Sequence, residues 1–316
     1  ISNETNAALT VRNQGGDTEV KIADIATREN TRRSLMPEGF DGLGATSLRD
    51  IIGYLRANAT PAATAAPAAP VVVDATPKTG GKNDRPLPPV TTVTWEPGKT
   101  RVLLIGGGSS HDFTKFFGGT DSATLRAAGY SVNYTEDRDQ AAAELAGADV
   151  AVISVNRMFF DTPAYRKALM AFAAAGKGIV MLHPGTWYGF QQWPELNAQI
   201  VGGGARGHDK LGAYSVHALK PDHPIMKGVP ASFEVFDELY YINAEPEKIP
   251  AGTSSIEVLA ETSPSIKFKK PHPVIWITKH PTARVVGFTL GHDERVHDLA
   301  PFKALLTNAV KWTSGK

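Results

Sequence analysis

The side chains best equipped for chemistry in this 316-residue chain are its nine histidines, all of which lie between His111 and His297. An imidazole moves protons near neutral pH and ligates divalent metals through a neutral nitrogen. Three of the nine follow short apolar runs of strand character: His111 comes after residues 101–105 and Gly106-Gly-Gly108, His183 after 178–182, and His292 after 284–288. If those runs belong to one sheet, the three imidazoles leave it at the same end and can converge in one pocket. Taken singly, each is as readily a hydrogen-bonded structural residue. The chain has no cysteine, which removes thiol nucleophiles, thiolate zinc sites, iron–sulfur clusters, disulfides and covalent haem attachment in one step.

The positions of these runs call for an alternating architecture. Residues 101–105 predict a buried strand, 121–128 a helix stopped by Gly129, 130–134 and 148–155 strands, and Thr162-Pro163 the cap of a helix that runs to Ala175. With 178–182 as a further buried strand, the predicted fold is α/β, a doubly wound and mostly parallel sheet with ligands beyond the carboxyl ends of its strands. Past His208, β segments are expected at 213–219, 256–260, 274–278 and 284–288, and a closing helix over 300–312 covers one face. Gly106-Gly-Gly108 fails the Gly-x-Gly-x-x-Gly dinucleotide pattern because position 111 is His. Those glycines are expected instead to let the backbone turn tightly beneath the site.

Charge and composition narrow the partners. Lys+Arg 33 against Asp+Glu 32 leaves a net charge of +1, with no pull towards nucleic acid or an anionic membrane, so small-molecule ligands become the default. No apolar run approaches the roughly 18–20 residues of a membrane span. No basic-then-apolar leader is visible, and Ile1 is taken as a processed or truncated terminus. Residues 59–98 are rich in Ala, Pro and Thr and predict an extended linker between a small piece, 1–58, and a large domain, 99–316. In the small piece, alternation over 8–12 and 19–22 around Gln14-Gly-Gly-Asp17 predicts a hairpin. Leu48, Ile51, Ile52 and Leu55 predict a short helix over 47–56.

Residues 34–43 and 48–56, with Met36 in a Met-Pro turn, resemble the C-terminal end of the cytochrome c haem-binding domain of large planctomycete-type dehydrogenases. The chain departs from that pattern: it lacks Cys-x-x-Cys-His and has no histidine in its first hundred residues, so no covalent haem is expected. The resemblance implies a parent protein outside the cytoplasm, periplasmic or secreted, and a larger redox assembly or a homo-oligomer as partners.

Over residues 100–315 a second resemblance runs in order through Leu182-His183, Trp193-Pro-Glu-Leu196, Ile200-Val-Gly-Gly-Gly204, His208, Asp222-His-Pro-Ile225, Phe236-Asp-Glu-Leu-Tyr240, Pro273-Val-Ile-Trp276, Arg284 to Asp293, and Asn308-Ala-Val-Lys-Trp312. These segments resemble the ThuA-like (trehalose utilisation) family, whose fold is similar to that of class I glutamine amidotransferases. Amidotransferases carry a nucleophilic cysteine on the turn after a central strand; this chain has Leu182-His183-Pro184 there, which excludes their chemistry.

The ThuA resemblance implies a carbohydrate-processing enzyme, a lyase or hydrolase cleaving 3-keto glycosides or disaccharides. A keto group acidifies the neighbouring C–H, so the glycosidic bond can break by proton abstraction and β-elimination, which needs a base, a stabiliser for the enolate and a proton for the leaving oxygen. One divalent ion, Zn, Mn, Ni or Fe, on His111, His183 and His292 would meet the second need; His183, His208 and Glu238 are the catalytic candidates, with His208 and Glu238 open as further ligands or as acid/base groups. Substrate contacts are expected from Trp187, Tyr188, Asp237, Tyr240 and Arg206. With Phe190 and Trp193, the aromatics after His183 suit the C–H faces of a sugar, or else pack under a loop. Asp237 and Tyr240 serve equally well as a turn carboxylate and a core-edge tyrosine, Arg206 as a solvated cation, and His223-Pro224 as a turn determinant. The alternative class is a non-catalytic sugar-binding or assembly module of a larger redox protein; a metal-dependent hydrolase of an unrelated small molecule is a third. An enzyme must hold its histidines in an open pocket, whereas a module can bury or disperse them.

Overall fold

A computed structural model describes the strands at 3–4, 8–13 and 16–21, and residues 92–315 apart from 109, 157–159 and 189–192. The chain divides into two compact units, Ile1–Val72 and Val73–Lys316. In the first, β1 (Asn3–Glu4), β2 (Ala8–Asn13) and β3 (Gly16–Lys21) form an antiparallel sheet in that order, and Asn13 pairs with Gly16 across the expected hairpin turn. The helix expected over 47–56, Met36 and most of the expected linker lie outside the described residues.

The second unit continues with β4 (Arg101–Gly107), β5 (Ser131–Thr135), β6 (Val150–Val155), β7 (Gly178–Leu182), β8 (Ala205–His208), β9 (Gly212–Ala218), β10 (Ser232–Asp237), β11 (Tyr240–Ile242), β12 (Ile256–Thr262), β13 (Pro273–Lys279) and β14 (Arg284–Phe288). Nine of these strands make one mixed sheet in the order β10-β9-β12-β13-β14-β7-β6-β4-β5. From β14 to β5 every pairing is parallel, as the alternation of strands and helices predicts. From β10 to β14 every pairing is antiparallel, because the β segments after His208 join the same sheet. Strands β8 and β11 form a separate antiparallel ribbon.

Successive side chains of a strand point to opposite faces, and the apolar runs therefore feed two cores. Val102, Leu104, Val150, Val152, Val180 and Leu182 pack on one face with Phe116, Phe117 and the helix α5 (Ala300–Thr313). That helix buries Phe302, Leu305, Leu306, Ala309 and Val310, a stripe at three- and four-residue spacing. Each large apolar side chain so buried contributes about 1.5–3 kcal/mol. Leu103, Ile105, Ala151, Ile153, Ile179 and Met181 point the other way, onto α2 (Arg138–Glu144) and α3 (Pro163–Ala174). Thr162 Oγ1 caps α3 by accepting from the Tyr165 amide at 3.2 Å, with Pro163 in the first turn.

The first crossover departs from expectation. A π-helical segment, Thr114–Asp121, runs straight into α1 (Ser122–Ala127), so Asp121 sits inside a continuous helical stretch and makes no capping bond. A short helix, α4 (Glu294–His297), follows β14 before α5.

Candidate active site

The three histidines picked out by their strand ends do meet. His111 follows β4 through Gly107 and Gly108, whose φ values of 143 and 123 are closed to most side chains. A Cβ at either would collide with Phe160 or Asn156, at 2.8 and 2.5 Å. His183 is the first residue past β7 and has φ 39, a left-handed conformation that costs a non-glycine residue about 1–2 kcal/mol. His292 follows β14 in the turn after Leu290-Gly291.

Hydrogen bonds fix the rings. His183 Nδ1–H donates to the Thr289 carbonyl at 2.5 Å, and since a carbonyl only accepts, the lone pair lies on Nε2. That nitrogen faces Glu238 Oε2 at 3.5 Å and the Tyr240 hydroxyl at 3.3 Å. His111 Nε2 is 3.1 Å from His292 Nδ1, and its Nδ1 is 2.7 Å from Ser110 Oγ. His292 Nδ1 is 3.4 Å from Glu238 Oε2.

One ligand atom from each of His111, His183, Glu238 and His292 lies within 4.8 Å of the others. Tetrahedral zinc with bonds of about 2.0–2.1 Å sets its ligands about 3.4 Å apart. The separations of 3.1, 3.4 and 3.5 Å are edges of that size. Three imidazoles and one carboxylate suit a divalent first-row ion, and this cluster could hold one. The electrostatics differ among the donors. Burial, then the neighbouring imidazoles, push His111 down to about 2, which leaves it neutral and able to ligate. Burial works to raise Glu238, but the imidazoles around it, His183 and His292 first, outweigh this and hold the carboxyl well below the usual range. The same bond to Glu238 raises His292 against the effect of burial.

The cluster is enclosed on the His183 side and open on another: side-chain exposure is 0% at His183, 17% at Glu238, 25% at His292 and 34% at His208. His208 ends β8 directly opposite Tyr240 of β11. Its Nδ1–H donates to the Asp209 carbonyl at 2.8 Å, leaving Nε2 as the lone-pair nitrogen of the neutral ring. Glu238 Oε1 is 3.8 Å from Nδ1. Trp187 bridges to Ala205 and sets its ring 5.8 Å from that of His208 and 5.4 Å from that of Tyr240.

The other substrate candidates are placed differently. The Arg206 guanidinium lies 3.5 Å over the Tyr188 ring, and both side chains bond the Lys248 carbonyl, at 3.1 and 3.0 Å. They line a shallow pocket with Tyr241, Asn243, Lys267 and Phe268, and none of the four clustered ligands lines it. Asp237 lies behind the cluster, without exposed surface. Its carboxylate is fully buried and accepts from the backbone amides of Glu238 at 2.7 Å, Gly291 at 2.8 Å and His292 at 3.3 Å. Placed under two of the clustered ligands, it braces their backbones. His223 Nδ1 caps the turn at Pro224–Met226, as its Pro neighbour suggests. Phe190 lies outside the described residues.

Strand-end spacing pointed to neither the Thr289 carbonyl nor Ser110, because backbone and hydroxyl partners carry no sequence pattern of their own. His297 and Asp121, fully buried and 2.8 Å apart, were likewise not legible, being 176 residues apart.

This doubly wound α/β domain gathers imidazoles from three strand ends and a carboxylate from a fourth at the carboxyl edge of the sheet, where ligands of such sheets sit. The chain belongs to the ThuA family, described as trehalose utilisation, whose family model matches residues 101–313. No curated protein matches it by sequence. Among solved structures, it is similar to a ThuA-like protein from Parabacteroides merdae ATCC 43184, at TM-score 0.57 and 19% identity over 69% of this chain and 91% of that one. A ThuA-like protein from Bacteroides uniformis ATCC 8492 follows at 0.56 and 20%, over 71% and 94%. The glutaminase domain of Trypanosoma brucei CTPS is a more distant neighbour, at 0.43 and 12%, over 68% and 93%.

Proposed function

We propose that this chain is a carbohydrate-processing enzyme that cleaves 3-keto glycosides or disaccharides by elimination, at a centre where His111, His183, His292 and Glu238 hold one divalent ion. The observation that carries this is the gathering of four donors within 4.8 Å, with the more exposed His208 and the half-buried ring of Trp187 beside it.

The sugar lays its apolar C–H face on Trp187 with its 3-keto oxygen towards the cluster, while the buried Tyr240 holds the His183 ring through its hydroxyl. His208, through the lone pair on Nε2, takes the proton from C2. The C–H electrons move to the C3 oxygen as an enolate, then return to form C1=C2 and expel the C1 oxygen. His208 gives its proton to that leaving oxygen, so the products are an enone and a free alcohol. A bound divalent ion supplies positive charge for the enolate. Asp237 holds the backbones of Glu238 and His292 so that the ligands stay in place. Tyr188 and Arg206, which line a separate pocket, are assigned to a second sugar ring. No helix among the described residues is long and apolar enough to cross a membrane. An extracytoplasmic location rests on the cytochrome-like resemblance of the first 58 residues.

The test is metal analysis and turnover of a 3-keto disaccharide by the wild type, His183→Ala and His208→Ala. About one ion per chain that is lost in His183→Ala, and turnover lost in both variants with metal retained in His208→Ala, is the expected pattern. Turnover by a metal-free wild type leaves an acid/base site alone; neither metal nor turnover points to the binding module.

A further inference from the structure

Asp121 and His297 play no part in the chemistry above, yet neither side chain has any exposed surface. His297 sits among the rings of Phe116, Phe117 and Phe302, at centroid distances of 5.3, 4.8 and 4.9 Å. Its Nδ1 meets Asp121 Oδ1 at 2.8 Å, and its Nε2 meets the Gly291 carbonyl at 3.0 Å. The carbonyl only accepts, so Nε2 carries a proton and donates it. Asp121 Oδ2 has no partner. Burying this pair costs desolvation that two apolar side chains would avoid.

The contact falls on one peptide. Gly291 has its carbonyl held by His297 and its amide held by Asp237 Oδ2 at 2.8 Å. Its φ of 128 belongs to glycine, and a Cβ there would lie 3.3 Å from His297 Nε2 and 3.6 Å from the His183 Cβ. Gly291 is thus a wedge between His297 and one candidate ligand, and the next residue in the chain is another, His292.

We propose that Asp121 and His297 are a positioning pair for His292: Asp121 aims the His297 ring, and the ring pins the Gly291 carbonyl so that His292 Nδ1 points into the four-donor cluster. This deepens the metal-centre proposal and rests on it for its purpose, while the clamp on Gly291 stands on its own geometry.

The test compares the full wild-type chain with Asp121→Leu/His297→Phe, which replaces the ion pair by apolar groups of similar size and leaves the buried Gly291 carbonyl without its donor, a cost of about 1–3 kcal/mol. Two quantities are read: affinity for Zn2+ or Mn2+ by calorimetry, and amide hydrogen exchange at residues 289–293 against that of β14. The expected result is affinity lower by about tenfold or more, the usual effect of losing an outer-shell partner, with faster exchange at 289–293 only. Asp121→Asn, which keeps an oxygen for Nδ1–H, is expected to stay within about threefold of wild type. Wild-type affinity and exchange in the double variant would overturn the proposal. If the wild type itself binds no metal, exchange decides: local acceleration keeps the positioning pair while the metal centre falls, and unchanged exchange removes both. Should the double variant not fold, His297→Gln, which keeps at most one of the two bonds, takes its place with the same readouts.

Discussion

Asp237→Asn separates the stability of the fold from the geometry of its site. The carboxylate receives three backbone amides: Glu238 and His292 on Oδ1, Gly291 on Oδ2. A carboxamide has one oxygen and one NH2, so whichever way it lies, at least one of these N–H groups faces another donor. An unsatisfied buried donor costs about 1–3 kcal/mol. Burial also holds the Asp237 pKa above its ordinary value, so the native state bears a cost for the charged form that the neutral amide does not. The two effects offset, and the unfolding free energy of the metal-free protein is expected to change by less than about 2 kcal/mol. The site has no such compensation: the turn carrying His292 loses a brace, and the negative charge beside His292 disappears. Metal affinity is expected to fall ten- to a hundredfold, about 1.4–2.7 kcal/mol. Urea denaturation of the metal-free form and calorimetric titration with Zn2+ or Mn2+ measure the two quantities. Wild-type affinity in a normally folded variant would refute the idea that Asp237 braces the ligands.

Three further outcomes are expected. Gly287→Ala places a Cβ against the indole of Trp276, which is fully buried and tied to the Val201 carbonyl at 2.9 Å; the overpacking is expected to cost about 3 kcal/mol, read as a lowered Tm. His272 is buried, and its pKa is pushed from 6.5 to about 4, first by burial and then by Lys270. The unfolded chain therefore binds the extra proton between those values, so stability is complete above pH 6.5 and falls towards pH 4 by up to about 1.4 kcal/mol per pH unit; denaturant melts of His272→Gln should lack that share of the slope. Trp187→Ala is expected to raise KM for a 3-keto glycoside by about tenfold, one ring's stacking energy, with metal content unchanged; an unaltered KM would remove Trp187 from the sugar site.

Much of the parallel half of the fold was legible because a strand buried on both faces must be apolar throughout and must end where the chain turns. Gly178–Leu182 and Arg284–Phe288 appear at their expected bounds, and Thr162 caps α3 as its side-chain oxygen and Pro163 require. The helix expected over 121–128 appears as α1, but the π-helical turns of Thr114–Asp121 that lead into it were not visible, and Asp121 is used for a contact with His297. The antiparallel half was visible as strands but not as a continuation of the same sheet, because strand order depends on crossovers that leave no local pattern.

The same division holds at the site. By itself the sequence determined which chemistries were closed, through the absence of cysteine, and which imidazoles stood at strand ends, because side-chain type and alternation are local properties. Only the tertiary structure decided that Glu238 completes the cluster, that Asp237 faces inward on three amides, that Tyr240 pairs with His208, and that Asp121 reaches His297. Each of those depends on contacts between segments remote in the chain, or on which way a short strand faces, and neither is set until the sheet and its helices have packed.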